Sequence, residues 1–332
     1  MDKARLENTA QKIVAKSKGI LAADESSGTI KKRLDSINVE STEDNRRDYR
    51  QLLFEAEGLE NFISGVILFD ETIRQESSTG KRLAEILSDK GILPGIKVDM
   101  GAKDLAFFPG EKVTEGLTGL RERFEEYNKL GVEFSKWRAA IELGVNIPTD
   151  ACIDANAHAL ARYAALSQEA GIVPVVEPEV LMTGTHTIEE HADVTKKTLK
   201  KVFAELHKYH VHIPGMLLKP NMVAAGLDNE VRSTSLEVAE ATVSAFKEVL
   251  PDDLPGVVFL SGGLSPDEAT EHLRAINNQS DLPWELSYSF GRALQGEALK
   301  AWAGKQENVA EAQNALLERA RKVSEARDGK TA

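Results

Sequence analysis

Eight short apolar runs, separated by longer amphipathic segments, constrain the fold of this sequence more than any other feature. The runs span residues 19–24, 64–70, 93–99, 132–138, 172–179, 215–220, 256–263 and 286–292. The segments between them, such as residues 117–131 and 265–278, are polar with helical spacing, and several end in a glycine that suits a helix C-cap. This alternation is typical of a parallel sheet with crossover helices.

The number of units decides between the two common parallel-sheet architectures. Eight units, rather than five or six, favour an α/β protein with a closed (β/α)8 TIM barrel over an open doubly wound sheet. Such barrels reach 332 residues as one unit, and no low-complexity linker divides the chain. We therefore predict one domain over residues 1–332, with an N-terminal helix over about 1–18 and a C-terminal helical tail over about 309–332.

Charge and composition argue against several classes of partner. The formal net charge is −12, whereas nucleic acids and anionic lipids select basic surfaces. No apolar run approaches the ~20 residues of a membrane span. The N-terminal segment is polar and lacks the apolar core of a secretory signal. We therefore expect a cytoplasmic protein that binds neither nucleic acid nor membranes.

Nucleotide and thiol chemistry also have little support. No G-x-G-x-x-G follows the first apolar run, and the sequence contains no G-x-x-x-x-G-K-[ST]. Cys152 is the only cysteine, so one chain can form neither an intrachain disulfide nor a cysteine-based metal cluster. We predict that Cys152 fills space in the core and that the protein uses no cofactor.

Charged and polar residues end almost every apolar run. They are Asp24, Asp70, Lys97, Asp99, Lys136, Arg138, Glu177, Glu179, Lys219, Ser261 and Arg292. In a closed barrel the carboxyl-terminal ends of all strands meet on one face, where ligands bind. A lone strand-end carboxylate is more often a helix cap or an ion-pair partner, and we assign Asp70 and Asp99 to that class. The others predict one shared pocket.

Three strand-end lysines give this pocket its chemistry. One alternative is internal ion pairing of Lys97, Lys136 and Lys219 with Asp24, Glu177 and Glu179. Three clustered lysines nevertheless exceed what a structural layer usually holds, and they fit a ligand that brings negative charge. A desolvated lysine among cations loses affinity for its proton, and the neutral amine can attack a carbonyl to form a Schiff base.

Lys219 is the best candidate for that nucleophile. It follows the apolar residues 216–218 and has no acidic neighbour in sequence. Glu177 follows the apolar run VPVV and is the best candidate for a general acid/base near neutral pH. The turns LSGG (260–263) and FGR (290–292) follow the seventh and eighth runs, where barrels often bind phosphate. Arg292 could add a bidentate contact to such a phosphate.

Seven motifs in order give the sequence a specific resemblance. They are LAADESSGTIKKR, GIKVD, KWR, VEPE, LLKPN, LSGG and GRALQ, and the similarity around them runs from about residue 19 to about residue 310. Together they resemble the class I fructose-bisphosphate aldolase family. The resemblance implies reversible cleavage of fructose 1,6-bisphosphate to dihydroxyacetone phosphate and glyceraldehyde 3-phosphate through a lysine Schiff base, without a metal. It also implies a homo-oligomer, commonly a tetramer.

The resemblance also assigns the residues. Lys219 corresponds to the Schiff-base lysine and Glu177 to the general acid/base, with Glu179 and Lys136 placing charge around it. Asp24 corresponds to the residue that meets the substrate near its reacting carbons. The residues that correspond to the region meeting the glyceraldehyde-side phosphate are Ser26, Thr29, Lys32, Arg33, Lys97 and Arg138. The residues that correspond to the binding site for the dihydroxyacetone-side phosphate are Ser261, Gly262, Gly291 and Arg292.

The sequence departs from the family pattern at a few positions. Well-known members end in a tyrosine that assists proton transfer to the enamine, whereas the last tyrosine here is Tyr288 and the sequence closes with GKTA. We expect another group to serve that step, or the step to be slower. Phe290 and Thr29 stand where many animal members have tyrosine and serine, which leaves the preference among ketose phosphates open.

Two other functions compete with this interpretation. A metal-dependent aldolase or hydrolase would use the histidines of HTIEEH (186–191) or HKYHVH (207–212). On one helix, however, His186 and His191 would point about 140° apart, which prevents chelation from one face. The other alternative is a sugar-phosphate sensor or assembly scaffold, which would not turn over fructose 1,6-bisphosphate.

Overall fold

The computed structural model describes residues 2–330 and contains the predicted closed barrel of eight parallel strands. The barrel order is β1-β10-β9-β8-β7-β6-β3-β2, and β4 and β5 form a separate antiparallel hairpin. The strands are β1 Gly19–Ala23, β2 Ile63–Leu68, β3 Leu93–Lys97, β4 Ala102–Asp104, β5 Lys112–Thr114, β6 Phe134–Ile141, β7 Val173–Val180, β8 Leu217–Leu218, β9 Gly256–Phe259 and β10 Glu285–Phe290.

Helices connect the strands and surround the barrel. They are α1 Lys3–Ile13, α2 Ser27–Asp35, α3 Glu43–Glu55, α4 Asp70–Arg74, α5 Leu83–Asp89, α6 Leu120–Lys129, α7 Asp150–Glu169, α8 Ile188–Lys208, α9 Ser235–Val249, α10 Pro266–Asn277, α11 Arg292–Trp302 and α12 Val309–Arg327. Local sequence fixes several boundaries: α8, α9 and α10 each begin with a complete capping box, and Gly131 and Gly171 adopt left-handed conformations just after α6 and α7.

The side chains inside the barrel change from apolar to charged along the strands. Residues alternate between the inside and outside of a barrel, so each strand can place an apolar residue low and a charged residue high on the same face. On β7, Val173 and Val175 belong to the interior cluster, and Glu177 follows with the same parity. The same alternation puts Lys136 above Phe134 and Lys219 above Leu217. The barrel interior is therefore apolar at the amino-terminal ends of the strands, which we call the floor, and charged at their carboxyl-terminal ends.

Helix α1 closes the apolar end of the barrel. Its residues Leu6, Ala10 and Ile13 are fully buried and join the same cluster as interior residues such as Ile20 and Val258. Burial of this face removes apolar surface from water at the amino-terminal ends of the strands. The floor is consequently closed, and the opposite end remains open to a ligand.

The interior also depends on glycine at one strand position. A Cβ atom on Gly95 would lie 2.3 Å from Cζ of Phe134, which is impossible without movement of the phenyl ring. Gly95 thereby gives Phe134 the room to fill the barrel below Lys136. Among residues 2–330, no helix has both the length and the apolar character that a membrane span requires.

Candidate active site

A cavity of about 960 Å³ opens at the carboxyl-terminal end of the barrel strands. It collects residues from loops and strands that are up to 270 positions apart, between Ala22 and Arg292. Every residue that the sequence assigned to the site lines this cavity: Asp24, Ser26, Thr29, Lys32, Arg33, Lys97, Lys136, Arg138, Glu177, Glu179, Lys219, Ser261, Gly262, Gly291 and Arg292. Closure of the barrel is what brings them together.

A chain of alternating charges occupies the bottom of the cavity. Nζ of Lys136 lies 2.8 Å from Oδ2 of Asp24 and 3.2 Å from Oε2 of Glu177. Nζ of Lys219 lies 3.4 Å from Oε1 of the same Glu177. Lys136, Glu177 and Lys219 are each at most 4% exposed. Such buried charges persist only when oppositely charged groups surround them.

The electrostatics of this chain distinguish its two lysines. Burial opposes the charge of Asp24, but the nearby ammonium groups of Lys136, Lys219 and Lys97 outweigh it and lower the pKa of Asp24 to about 2. Burial likewise opposes the charge of Lys136, yet Asp24 and Glu177 raise its pKa well above the ordinary lysine value. Lys136 is therefore held as a cation, while Lys219 contacts one carboxylate at a longer distance.

The upper wall of the cavity contains a second set of ion pairs. Nζ of Lys97 lies 3.0 Å from Oδ1 of Asp99, and the Arg138 guanidinium donates to Glu179. The attraction of Glu179 raises the pKa of Arg138 despite burial. Glu179, one of the three carboxylates considered as lysine partners, thus pairs with an arginine instead. Asp99 also accepts hydrogen bonds from the backbone N–H groups of Gly101 and Arg138, each at 3.2 Å, which fits its predicted structural class.

The first loop and α2 supply a polar and basic edge. Ser26 is the N-cap residue of α2, and its hydroxyl lies 3.3 Å from that of Thr29. Arg33 reaches the cavity from the last turn of this helix and forms an ion pair with Glu25. Lys32 lines the same edge. Cationic and hydroxyl groups of this kind suit the oxygens of a phosphate.

The opposite edge is a glycine-rich cradle. Gly262 and Gly263 have φ angles of +53° and +94°, and a Cβ on Gly262 would lie 2.9 Å from Met182. Only glycine therefore fits this turn without strain. Gly291 immediately precedes α11, whose first residue is Arg292, so the helix N-terminus lies at the cavity wall. Unpaired N–H groups at such a terminus favour an anion.

Comparison with known proteins identifies the family. A family model described as "Fructose-bisphosphate aldolase class-I" matches residues 5–332. The chain belongs to the class I fructose-bisphosphate aldolase family. The predicted family is confirmed, and the seven motifs that indicated it all lie within the matched region.

Other members of this aldolase family are similar in sequence to the chain over nearly its whole length. "Probable fructose-bisphosphate aldolase class 1" of Xylella fastidiosa (strain 9a5c) is 52% identical over 327 residues, which cover 98% of each chain. "Fructose-bisphosphate aldolase 5, cytosolic" of Arabidopsis thaliana is 50% identical, covering 97% of this chain and 90% of the relative. A solved structure of the Plasmodium falciparum aldolase, in complex with TRAP and a small molecule inhibitor, superimposes with a TM-score of 0.98 at 48% identity, covering 99% and 96% of the two chains. The predicted barrel is thereby confirmed.

Glu25 and Ser289 are among the residues of the aldolase cavity that the sequence analysis missed. Glu25 is 7% exposed, and besides pairing with Arg33 it accepts a hydrogen bond from Gln295 at 3.0 Å. Its position directly after Asp24 was the available signal. Ser289 is 1% exposed, and its hydroxyl has no hydrogen-bond partner within residues 2–330. The alternation along β10, which turns Ser289 and Gly291 to one face, could have indicated it.

The last tyrosine lies outside this site. Tyr288 is fully buried, and its hydroxyl donates to the carbonyl of Phe62 at 2.7 Å. Burial raises the pKa of Tyr288 far above its ordinary value. Tyr288 therefore neither lines the cavity nor offers an accessible proton there.

The histidine geometry expected from a single helix is wrong. His186 precedes α8 instead of lying in it, and its ring centroid is only 4.8 Å from that of His191. The loop before the helix turns His186 back over the first turn. Both ring nitrogens of His191 already bond to backbone, with Ala224 N at 3.1 Å and Val180 O at 3.2 Å. Within residues 2–330 there is no group of three or more histidine, cysteine or acidic side chains that could hold a metal ion.

Cys152 behaves as a core residue. It is 1% exposed and packs with Ile141 and Val180. Burial raises the pKa of its thiol to about 11, so the thiolate is a minor species at neutral pH.

Proposed function

We propose that the protein cleaves fructose 1,6-bisphosphate reversibly to dihydroxyacetone phosphate and glyceraldehyde 3-phosphate through an imine on Lys219. The observation that carries the choice of nucleophile is the different pairing of the two buried lysines. Lys136 is held between two carboxylates, whereas Lys219 has one carboxylate contact at 3.4 Å. Lys219 is therefore the less tightly paired amine, and we assign to it the attack on the carbonyl.

Glu177 is suited to the proton transfers of imine formation. The neutral amine of Lys219 attacks C2 of the ketose, forming the N–C2 bond and an alkoxide that takes up the proton released by the nitrogen, which gives a neutral carbinolamine. Glu177, which lies against Lys219, then donates a proton to the C2 oxygen as it leaves as water. Lys136 holds Glu177 in place and balances its charge. The product is an iminium ion on Nζ of Lys219.

Carbon–carbon cleavage follows from the iminium charge. The proton of the C4 hydroxyl passes to a carboxylate base, for which Glu177 is suited, while the C3–C4 bond breaks. The bonding electrons move into the C2–N system and give a neutral enamine, so no localised carbanion is needed. Asp24 is kept ionised by its lysine neighbours, and by family resemblance it would meet the substrate near these carbons. Protonation of C3 and hydrolysis of the imine release dihydroxyacetone phosphate and restore Lys219.

The two edges of the cavity suit the two phosphates of the substrate. The glycine-rich cradle with Arg292 at the start of α11 would bind the phosphate on the dihydroxyacetone side. The basic edge formed by α2 and the upper wall would bind the other phosphate. Those side chains are Ser26, Thr29, Lys32, Arg33, Lys97 and Arg138. Binding at both ends would fix C2 above Lys219.

Assembly and location belong to the same proposal. The family resemblance favours a homo-oligomer, commonly a tetramer, which light scattering of the purified protein would test. A cytoplasmic location is supported by the name of the Arabidopsis relative, which is called cytosolic. Fractionation of cells with an antibody to the protein would test this location.

The nucleophile can be tested by trapping. In the Lys219→Ala variant we expect loss of fructose 1,6-bisphosphate cleavage and no covalent fixation of dihydroxyacetone phosphate by borohydride, because the attacking amine is gone. Mass spectrometry of the wild-type peptides should place the reduced adduct on Lys219. Fixation on Lys136 or Lys97 instead would refute the assignment. Activity of the wild type should persist in EDTA.

A further inference from the structure

The backbone hydrogen bonds between β7 and β8 stop just after Lys219, which directly follows β8. β7 and β8 pair through Val175–Leu217 and Val176–Leu218, and the N–H of Lys219 donates to the Val176 carbonyl at 2.8 Å. Continued in register, this pairing sets Glu177 beside Lys219 and Pro178 beside Pro220. Pro178 turns toward the Lys219 side but has no N–H to donate there, whereas Pro220 faces β9, where its carbonyl accepts the N–H of Leu260 at 3.2 Å. The sheet therefore cannot hold the two strands together immediately beyond the proposed acid/base and nucleophile.

A side chain takes over where the ladder stops. Asn221 is fully buried, and its Oδ1 accepts a hydrogen bond from the N–H of Val180 on β7 at 3.0 Å. Its Nδ2 donates to Oγ1 of Thr195 on α8 at 3.0 Å and to the Met222 carbonyl at 3.2 Å. One amide thus joins the end of β7, the segment after β8 and helix α8.

His191 completes this connection from the same helix. Its Nδ1 accepts the N–H of Ala224, so the neutral ring carries its proton on Nε2, which donates to the Val180 carbonyl. Asn221 and His191 together satisfy both backbone groups of Val180. We refer to Asn221, Thr195 and His191 as the clamp. All three are at most 1% exposed, and none is among the described residues that line the catalytic cavity.

The clamp determines a distance that matters for the chemistry. Glu177 lies three residues before Val180, and Lys219 lies two residues before Asn221, so the Asn221–Val180 bond closes a short loop around both groups. Their reacting atoms, Nζ and Oε1, are 3.4 Å apart. Misplacement of reacting groups by about 1 Å can cost about 100-fold in rate.

We propose that Asn221 is a positioning residue for imine formation, which holds the segment carrying Lys219 against β7 where Pro178 interrupts the sheet. The proposal rests on the proposed function of Lys219 and Glu177. It concerns the step that joins substrate to Lys219 and leaves the phosphate contacts at the two cavity edges unchanged. A residue that only stabilised the fold would affect both equally.

The test uses Asn221→Ala and a matched pair at the clamp residue on α8. Thr195→Val removes the hydroxyl that accepts the hydrogen bond from Nδ2 of Asn221, whereas Thr195→Ser keeps that hydroxyl. Imine formation is followed by mixing the full-length protein with dihydroxyacetone phosphate and quenching with borohydride at increasing times. Affinity for the phosphate sites is measured with hexitol 1,6-bisphosphate, which has no carbonyl and cannot form an imine.

We expect imine formation to slow by roughly 10- to 100-fold in Asn221→Ala and by about tenfold in Thr195→Val. Thr195→Ser should remain within about twofold of the wild type, and hexitol bisphosphate affinity should stay within about twofold in all three. Wild-type imine formation in Asn221→Ala, or an equal loss of hexitol bisphosphate affinity, would overturn the proposal. If Asn221→Ala does not fold, the Thr195 pair decides in the same way.

Failure of this proposal can be separated from failure of the proposed function. Peptide mapping of the trapped protein shows which lysine carries the adduct. An adduct on another lysine refutes the nucleophile assignment, and the positioning proposal with it. An adduct on Lys219 that forms at the wild-type rate in Asn221→Ala refutes only the positioning proposal.

Discussion

At the scale of residues, the site shows how neighbours give identical side chains different chemistry. Lys136 and Lys219 are both buried at the carboxyl-terminal end of the barrel and both contact Glu177. Lys136 also pairs with Asp24, which keeps it charged, and this charge in turn keeps Asp24 ionised. Lys136 is therefore suited to electrostatic support, and Lys219 to bond formation.

Substitution of Lys136 separates these roles. Lys136→Met removes the ammonium group shared by Asp24 and Glu177 and leaves both buried carboxylates under-compensated, so we expect a stability loss of about 3–5 kcal/mol and a kcat at least 100-fold lower. Borohydride should still fix dihydroxyacetone phosphate to Lys219 in the folded variant, more slowly than in the wild type. Lys97→Met is the matched control, because Lys97 is more exposed and should cost less stability on urea unfolding. Complete absence of an adduct in folded Lys136→Met would contradict this assignment.

At the scale of elements, each barrel strand contributes apolar side chains to the packed interior at one end and charged side chains to the cavity at the other end. Alternation turns every second residue inward, so one strand contributes both to the floor and to the site. α1 seals the floor with apolar side chains, and the turns after β9 and β10 build the cradle. Packing below the site therefore fixes the height at which Lys136 and Lys219 enter the cavity.

Overpacking of the floor tests this dependence. In Gly95→Ala the new methyl group would lie 2.3 Å from Phe134, so we expect a loss of about 1–3 kcal/mol in the free energy of unfolding. Phe134→Leu should recover part of that loss, measured as a favourable coupling in a double-mutant cycle. The control is Gly296→Ala within α11, where a new Cβ would meet nothing within 4 Å beyond its chain neighbours and the backbone of its own helix, so stability should rise by up to about 1 kcal/mol. Additive effects of Gly95→Ala and Phe134→Leu would show that the ring is not the obstacle.

At the scale of the whole molecule, the protein is acidic overall but holds a cluster of ion-paired lysine, arginine and carboxylate side chains in its cavity. Its net charge of −12 repels anions in general, whereas the cavity gathers lysine and arginine side chains from both edges. A local basic pocket in an acidic protein selects ligands whose phosphates match its two ends. The same internal ion pairs tie global stability to pH.

Acid should destabilise the fold through Asp24. Its pKa of about 2 in the folded state lies below the unfolded value of 3.8, so its contribution is fully present above about pH 4 to 5 and is lost as the pH falls through 2. This difference corresponds to about 2 kcal/mol, of which about half is lost by pH 3. Urea unfolding at pH 6 and pH 3 should therefore show a loss about 1 kcal/mol smaller in Asp24→Asn than in the wild type. An equal loss in both proteins would mean that Asp24 is not stabilised in this way.

The sequence alone determined the barrel and a set of strand-end and loop residues that line its cavity, but not Glu25 or Ser289. Eight apolar runs with charged ends follow from the alternation that a closed parallel barrel imposes, and strand ends such as Lys219 and Glu177 could be read directly from the chain. Ordered motifs then specified the family, because each preserves residue types at fixed distances from a strand end.

Only the tertiary structure decided which groups touch. The structure pairs Glu179 with Arg138, brings the rings of His186 and His191 close together and bonds Asn221 to Val180, although turns or whole helices separate these residues along the chain. Sequence pattern fixes which face a side chain occupies, but a contact also depends on strand register, helix placement and loop path. Those are set by the packing of the entire barrel, which no local stretch of sequence contains.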